Sequence, residues 1–133
     1  MGATDREIQQ LNELRHALLS LHKTLLDRQR LWYEREHGRL EGGGGQMLQL
    51  LAYDPAFAWL RVFSAFIVQI DERLEDKESP LTSEGAGKLI QEARGLFAGK
   101  EGGETFQQNY DRALQESPDA VIAQSKVARV LGY

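Results

Sequence analysis

Two Glu-x-x-His pairs, Glu13 with His16 and Glu34 with His37, come closest to chemistry by type and spacing in this 133-residue chain. On a helix each pair sets a carboxylate beside an imidazole, and di-metal helical proteins take one such pair from each of two helices plus lone glutamates from two others. Here both pairs fall in one stretch free of proline and glycine, roughly 30 Å apart along a helix. They cannot converge on one cluster within a chain, so no metal site is expected. The three histidines, His16, His22 and His37, all lie in that stretch, and no two are spaced i, i+4 as a helical zinc face requires. The chain has no cysteine, which removes disulfides, thiolate zinc sites and cysteine nucleophiles together. Ser20 and Ser64 fall inside predicted helices rather than on a strand-to-helix elbow, so no Ser-His-Asp set can be assembled. These gaps speak against an enzyme and against a resident cofactor.

Five side chains remain as candidates for ligand or partner binding: His22, Trp32, Trp59, Arg61 and Phe63. His22 points into the apolar sector of its helix, where a lone histidine is ordinarily a satisfied core residue. Arg61 interrupts an apolar run. Its ordinary role is to lay its stem over apolar surface with the guanidinium in water or on an acid such as Glu72; its functional role would be to grip an anion through its planar fork. Trp32 and Tyr33 stand among Arg28, Arg30, Arg35 and Arg39, a mixture that favours protein interfaces and nucleic acid alike. Asp27, Glu34, Glu36 and Glu41 dilute that charge. A net charge of -4 and a pI near 5.4 argue against nucleic acid as a partner.

The elements that must position these residues are helical. Asp54 to Leu74, DPAFAWLRVFSAFIVQIDERL, reads as a central helix apolar on nearly all sides, opened by an Asp N-cap and Pro55. Trp59, Leu60, Phe63, Phe66, Ile67, Ile70 and Leu74 share one broad face. Phe57 and Val68 lie behind them with Arg61 and Ser64, so cover is needed on both sides. Its apolar run of about fifteen residues contains Arg61 and is short of the roughly twenty a membrane span needs, so no membrane is expected.

A capping box, Thr4 to Glu7, opens a first helix that runs to about His37 and is roughly 45 Å long. Leu11, Leu18, Leu25 and Trp32 form one ridge on it, widened by Leu14 and Leu21; Leu19, Leu26, Tyr33 and Leu40 form a second. Between them runs a polar line, Arg15, His22, Gln29 and Glu36, expected to be satisfied in the groove between neighbours or to fix register. RLEGGGG, residues 39 to 45, ends the helix, and the glycines at 42–45 read as a flexible connection. Residues 46 to 53 form a short helix. Thr82 or Ser83 caps a helix striped with Ala86, Leu89, Ile90, Ala93, Leu96 and Phe97. The loop from Ala98 to Gly103 breaks it. Phe106, Tyr110, Ala113 and Leu114 mark a further helix, and Ser117-Pro118 opens the last, with Ala120, Ala123, Val127, Val130 and Leu131 inward and Gly132 as its stop.

The expected fold is therefore all-α: a helical bundle of about five to six helices in a single domain, residues 1–133, with a long N-terminal helix and a nearly all-apolar central helix. A first helix of roughly 45 Å beside a central one of roughly 30 Å suggests a homodimer through the first helix. LLDRQRLWYEREHGRL, LLAYDPAFAWLR and the segment from PLTSEGAG onward resemble a small bacterial family of helical-bundle proteins without an assigned activity, so the resemblance implies the fold and no functional residues. The N-terminal stretch lacks a signal-peptide pattern, so a cytoplasmic location is expected. The functional expectation is a non-catalytic helical interaction protein that self-associates or docks a protein partner through its first helix. The alternative is a bundle holding a small apolar or anionic ligand near the central helix.

Overall fold

Thr4 does what its position predicts. Its hydroxyl accepts from the Glu7 amide at 3.1 Å and the Glu7 carboxylate accepts from the Thr4 amide at 2.8 Å, starting a 33-residue helix, α1, Asp5–His37. The computed structural model describes residues 1–98 and 103–133. Within them α1 is followed by α2 (Gly43–Tyr53), a 3-10 turn (Pro55–Phe57), α3 (Ala58–Glu75), α4 (Ser83–Phe97), α5 (Gly103–Glu116) and α6 (Pro118–Leu131). The described residues form an all-α bundle of six helices. The only β-type pairing among the described residues is one isolated bridge between Gly2 and Thr82.

α1 is the spine. Leu11, Leu14, Leu18, Leu21, Leu25 and Trp32 are buried along it, while Leu19 of the second ridge stays half exposed and Leu26 and Tyr33 are half-buried. α6 packs along α1 more extensively than any other helix does, and α3 comes next. Ala120 and Ala123 face the core of α6, and such short side chains let the helix axes approach closely. The Gln10 amide donates to the Val130 carbonyl at 3.1 Å, and near the other end Arg28 pairs with Glu116 at 4.0 Å. α5 and α6 in tandem therefore line most of α1. The length of α1 beyond α3 is met in part by α5 and α6 of the same chain.

The central segment opens as expected at Asp54, whose carboxylate accepts from the Ala56 amide at 2.8 Å. Its first turn is 3-10 rather than α. Phe57 is fully buried, with the Tyr33 ring 5.7 Å away, and Trp59, Leu60, Phe63, Phe66, Ile67 and Ile70 fill the core from α3. Cover on the second face is incomplete: α2 packs over its N-terminal end, but Val68 stays 50% exposed. Val62, on another side, is also exposed.

The glycine run departs from expectation. Gly43, Gly44 and Gly45 lie in the first turn of α2, three residues before the expected start. First-turn amides have no intrahelical partner in any case, so glycine costs least there, and the Gly42 amide finds the Gln46 side chain at 2.7 Å. Thr82 caps α4 through the Gly85 amide at 2.9 Å. Ser117 caps α6, and Gly132 closes it in the left-handed region at φ 90°. The expected break from Ala98 to Gly103 falls mostly on residues 99–102, outside the described residues; α4 ends at Phe97 and α5 begins at Gly103.

Candidate functional site

The polar line of α1 meets α3 in register. Arg15 donates to Asp71 at 2.9 Å, His22 Nε2 and Ser64 Oγ are 2.7 Å apart, and Gln29 Oε1 accepts from Trp59 Nε1 at 2.7 Å. The three α1 residues are spaced by seven and their partners run backward along α3, as an antiparallel pair requires. Glu36, the fourth of the line, is exposed. The expectation of a groove line satisfied by its neighbours holds for the three inner members.

His22 and Ser64 have the separation of a base and a nucleophile, a pairing the sequence did not reveal. The Ser64 hydroxyl donates to the Leu60 carbonyl one turn back at 3.1 Å, so its oxygen accepts from a protonated Nε2. Burial pushes the His22 pKa down, which favours the neutral ring, and the Ser64 bond selects the tautomer with the proton on Nε2. A catalytic pair would need the reverse proton arrangement, an acid on Nδ1 and free donors for an oxyanion. Asp71, the acid on the same seam, is held by Arg15, and Ser64 sits mid-helix, where backbone amides are committed to the helix. None of the five principal clefts is lined by either residue.

The two tryptophans form a second junction, between α1, α3 and α5. Trp32 stacks on Trp59 with centroids 6.3 Å apart, and Trp59 contacts Phe106 at 6.0 Å. The Arg112 guanidinium lies 4.0 Å from the Trp32 ring, an attraction of cation and π face. Glu116 ties the junction together: it accepts from Trp32 Nε1 at 3.0 Å and from Arg112 Nε at 2.9 Å. The hydrogen bonds from Trp32 and then Arg112, with the charges of Arg112 and Arg28 beside them, hold its carboxyl below the usual range. A cleft of about 200 Å³ opens beside this junction, lined by Gln29, Tyr33, Asn109 and Arg112 among others. Trp32 and Trp59 also line this cleft, but both are buried, with Trp32 set between Trp59 and Arg112.

Arg61 answers neither of its sequence readings. Its two terminal nitrogens donate to the Leu51 carbonyl at 3.1 Å and the Asp54 carbonyl at 3.2 Å. It thus satisfies carbonyls at the end of α2, where a cation suits the helix dipole. Phe63 is fully buried, between His22 at 5.7 Å and Phe97 at 5.9 Å. The structure thus brings His22, Trp59 and Phe63 together at the α1–α3 seam and Trp32 beside them, and all five candidates make contacts within the chain. Glu13 with His16 and Glu34 with His37 remain on the one helix, and no group of three His, Asp or Glu residues among those described is placed to hold a metal ion.

Sequence reading placed a short helix at residues 46–53 but gave no sign of its exposure; that helix is α2. It is GGGQMLQLLAY, the one α-helix among the described residues without a charged side chain, and it has no buried residue. Met47, Leu50 and Leu51 rest half-buried on the bundle, while Leu48 is 69% and Tyr53 82% exposed. The sequence shows a short apolar helix; only the packing shows that one side of it is left open. No single helix among the described residues is long and apolar enough to cross a membrane; α2 with the segment Pro55–Glu75 passes only as a pair bent by 79°. Compared with protein families, curated proteins and solved structures, the chain matches none, so residue roles rest on this geometry alone.

Proposed function

We propose that the protein is a non-catalytic helical interaction protein that docks another protein surface, and that the docking element is α2 rather than the first helix. The observation that carries this is an uncharged, apolar, 11-residue helix with no buried residue. Monomeric proteins seldom expose contiguous apolar surface without using it. The leucine ridge of α1 is buried inside the chain, and its exposed apolar residues, Ile8, Leu19 and Leu31, are scattered along its length. The ligand-binding alternative has less support, because Arg61, Trp59 and Phe63 are engaged in internal contacts.

The reading is tested by placing a photo-reactive residue at Gln49, on the exposed side of α2, and another at Ser125 on α6 as a control. Cross-links to a protein, whether another copy or a different chain, that form from position 49 and not from 125 support it. Equal or absent cross-linking at the two positions contradicts it.

A further inference from the structure

We infer that the cleft at the tryptophan junction binds a small amino acid whose amine lies several bonds from its carboxylate, the acid held by Gln29 and Arg112 and the amine by Glu36. No residue of α2 lines this cleft, so the site is separate from the docking helix. Gln29 forms its floor with the two tryptophans. The Gln29 Oε1 accepts from Trp59 Nε1; an indole N–H can only donate, so the amide cannot be turned round and its Nε2 faces the other way. Gln29 is 5% exposed, yet Nε2 has no acceptor among the described residues, and it is not one of the sealed, unpaired atoms, which are Arg15 Nε and the Tyr110 hydroxyl. It therefore opens on the cleft that Gln29 lines. An amide donor so nearly buried is costly to leave without an acceptor.

The walls select what supplies that acceptor. Arg112 is fixed before any ligand arrives: its Nε donates to Glu116 at 2.9 Å and its guanidinium lies 4.0 Å from the Trp32 ring. Its terminal nitrogens have no acceptor among the described residues, and their planar fork matches a carboxylate. Arg28 pairs with Glu116 and Trp32 with Arg112, so α1 and α5 run antiparallel and Glu36, one turn further along α1, comes level with Asn109 on the same cleft. The Asn109 Nδ2 donates to the Thr105 carbonyl at 3.0 Å, which leaves its Oδ1 as an acceptor. One end of the cleft thus offers donors and a cation, the other acceptors and a carboxylate. A diacid would meet Glu36 and a diamine would meet Arg112; a molecule with an acid at one end and an amine at the other suits both. Gln29 and Glu36 are about two helical turns apart, roughly 10 Å less the reach of their side chains. An α-amino acid, whose two groups share one carbon, is too short to bridge them. The cleft volume of about 200 Å³ is several times the roughly 30 Å³ of a water molecule, which leaves room for a longer one.

The probe is δ-aminovalerate, with valerate, which lacks the amine, and pentylamine, which lacks the acid, beside it. Each is titrated to about 50 mM at constant ionic strength into the isotope-labelled full chain, following the Gln29 side-chain amide and the Trp59 indole N–H by nuclear magnetic resonance. A ligand of about eight non-hydrogen atoms should saturate with dissociation on the order of millimolar. Valerate should bind about threefold more weakly, the amine being paired with an exposed carboxylate, and pentylamine about tenfold more weakly. Arg112→Gln should weaken δ-aminovalerate about tenfold, and Glu36→Gln should abolish its advantage over valerate. Both substitutions fall on exposed residues, so helical circular dichroism should be unchanged. The inference is overturned by no saturable shift with any probe, which means a cleft that holds water only, or by valerate or pentylamine binding as tightly as δ-aminovalerate. It is equally overturned by an affinity that survives Arg112→Gln, or by a preference for the amine that survives Glu36→Gln.

Discussion

Replacing Gln29 with Leu isolates one rung of the α1–α3 seam. Gln29 and Trp59 are 5% and 4% exposed, and their 2.7 Å hydrogen bond gives the indole N–H its partner. Gln29→Leu leaves that N–H buried and unpaired, a cost of about 1–3 kcal/mol, offset in part by the more apolar side chain. Trp59→Phe removes the donor instead and adds the cost of the space left by the larger ring. In that background the glutamine carbonyl has lost its donor, so Gln29→Leu should be neutral or stabilising. The double-mutant cycle should therefore show a coupling of about 1–2 kcal/mol. Urea unfolding followed by far-ultraviolet circular dichroism reads this without relying on tryptophan emission. At a slope of about 2 kcal/mol per molar urea, a loss of 2 kcal/mol moves the midpoint by about 1 M. If Gln29→Leu costs the same with and without Trp59, the hydrogen bond does not hold the helices in register and the reasoning fails.

Three further outcomes follow from the same contacts. Burial keeps folded His22 below the ordinary imidazole value of about 6.5, so the unfolded chain takes the proton first; the melting temperature should fall as pH drops below about 6.5 and hold above it, and His22→Gln should flatten that limb. The further loss below about pH 4.3 belongs to carboxylates held low in the fold: Glu7, by the Thr4 amide and then the Ser83 hydroxyl, and Glu116. Gly87 has open space around it, while a side chain at Gly85 would meet Leu81 and the capping Thr82 oxygen at 3.2 Å; Gly87→Ala should therefore stabilise by about 0.5–1 kcal/mol in thermal melts, and Gly85→Ala should gain less or lose. Arg61→Ala removes both side-chain bonds to the end of α2, so amide exchange in residues 46–53 should speed up several-fold while α1 and α6 keep their protection.

Local chemistry was the legible part of this fold. The Thr4–Glu7 box, the Ser117-Pro118 start and the Gly132 stop each depend on residues a few positions apart, so the sequence shows both partners at once. The stripes of α4 and α5 were legible for the same reason. The polar line on α1 was visible as Arg15, His22 and Gln29, but its partners Asp71, Ser64 and Trp59 follow only from how far α3 slides along α1, which no local pattern fixes. Arg61 misled because side-chain partners were considered and its acceptors are backbone carbonyls. α2 was legible as a short helix but not in its exposure: Met47, Leu48, Leu50 and Leu51 mark it as apolar, and composition carries no information about whether enough surface exists elsewhere to bury it.

The docking role of α2 is tested most directly by hydrogen exchange of its own amides with and without the protein that cross-links from position 49. The account predicts that residues 46–53 gain protection when that protein, another copy included, is added in excess while the amides of α4 and α6 keep theirs unchanged. Exchange in α2 that does not respond, alongside a gain of protection on another helix, would contradict it.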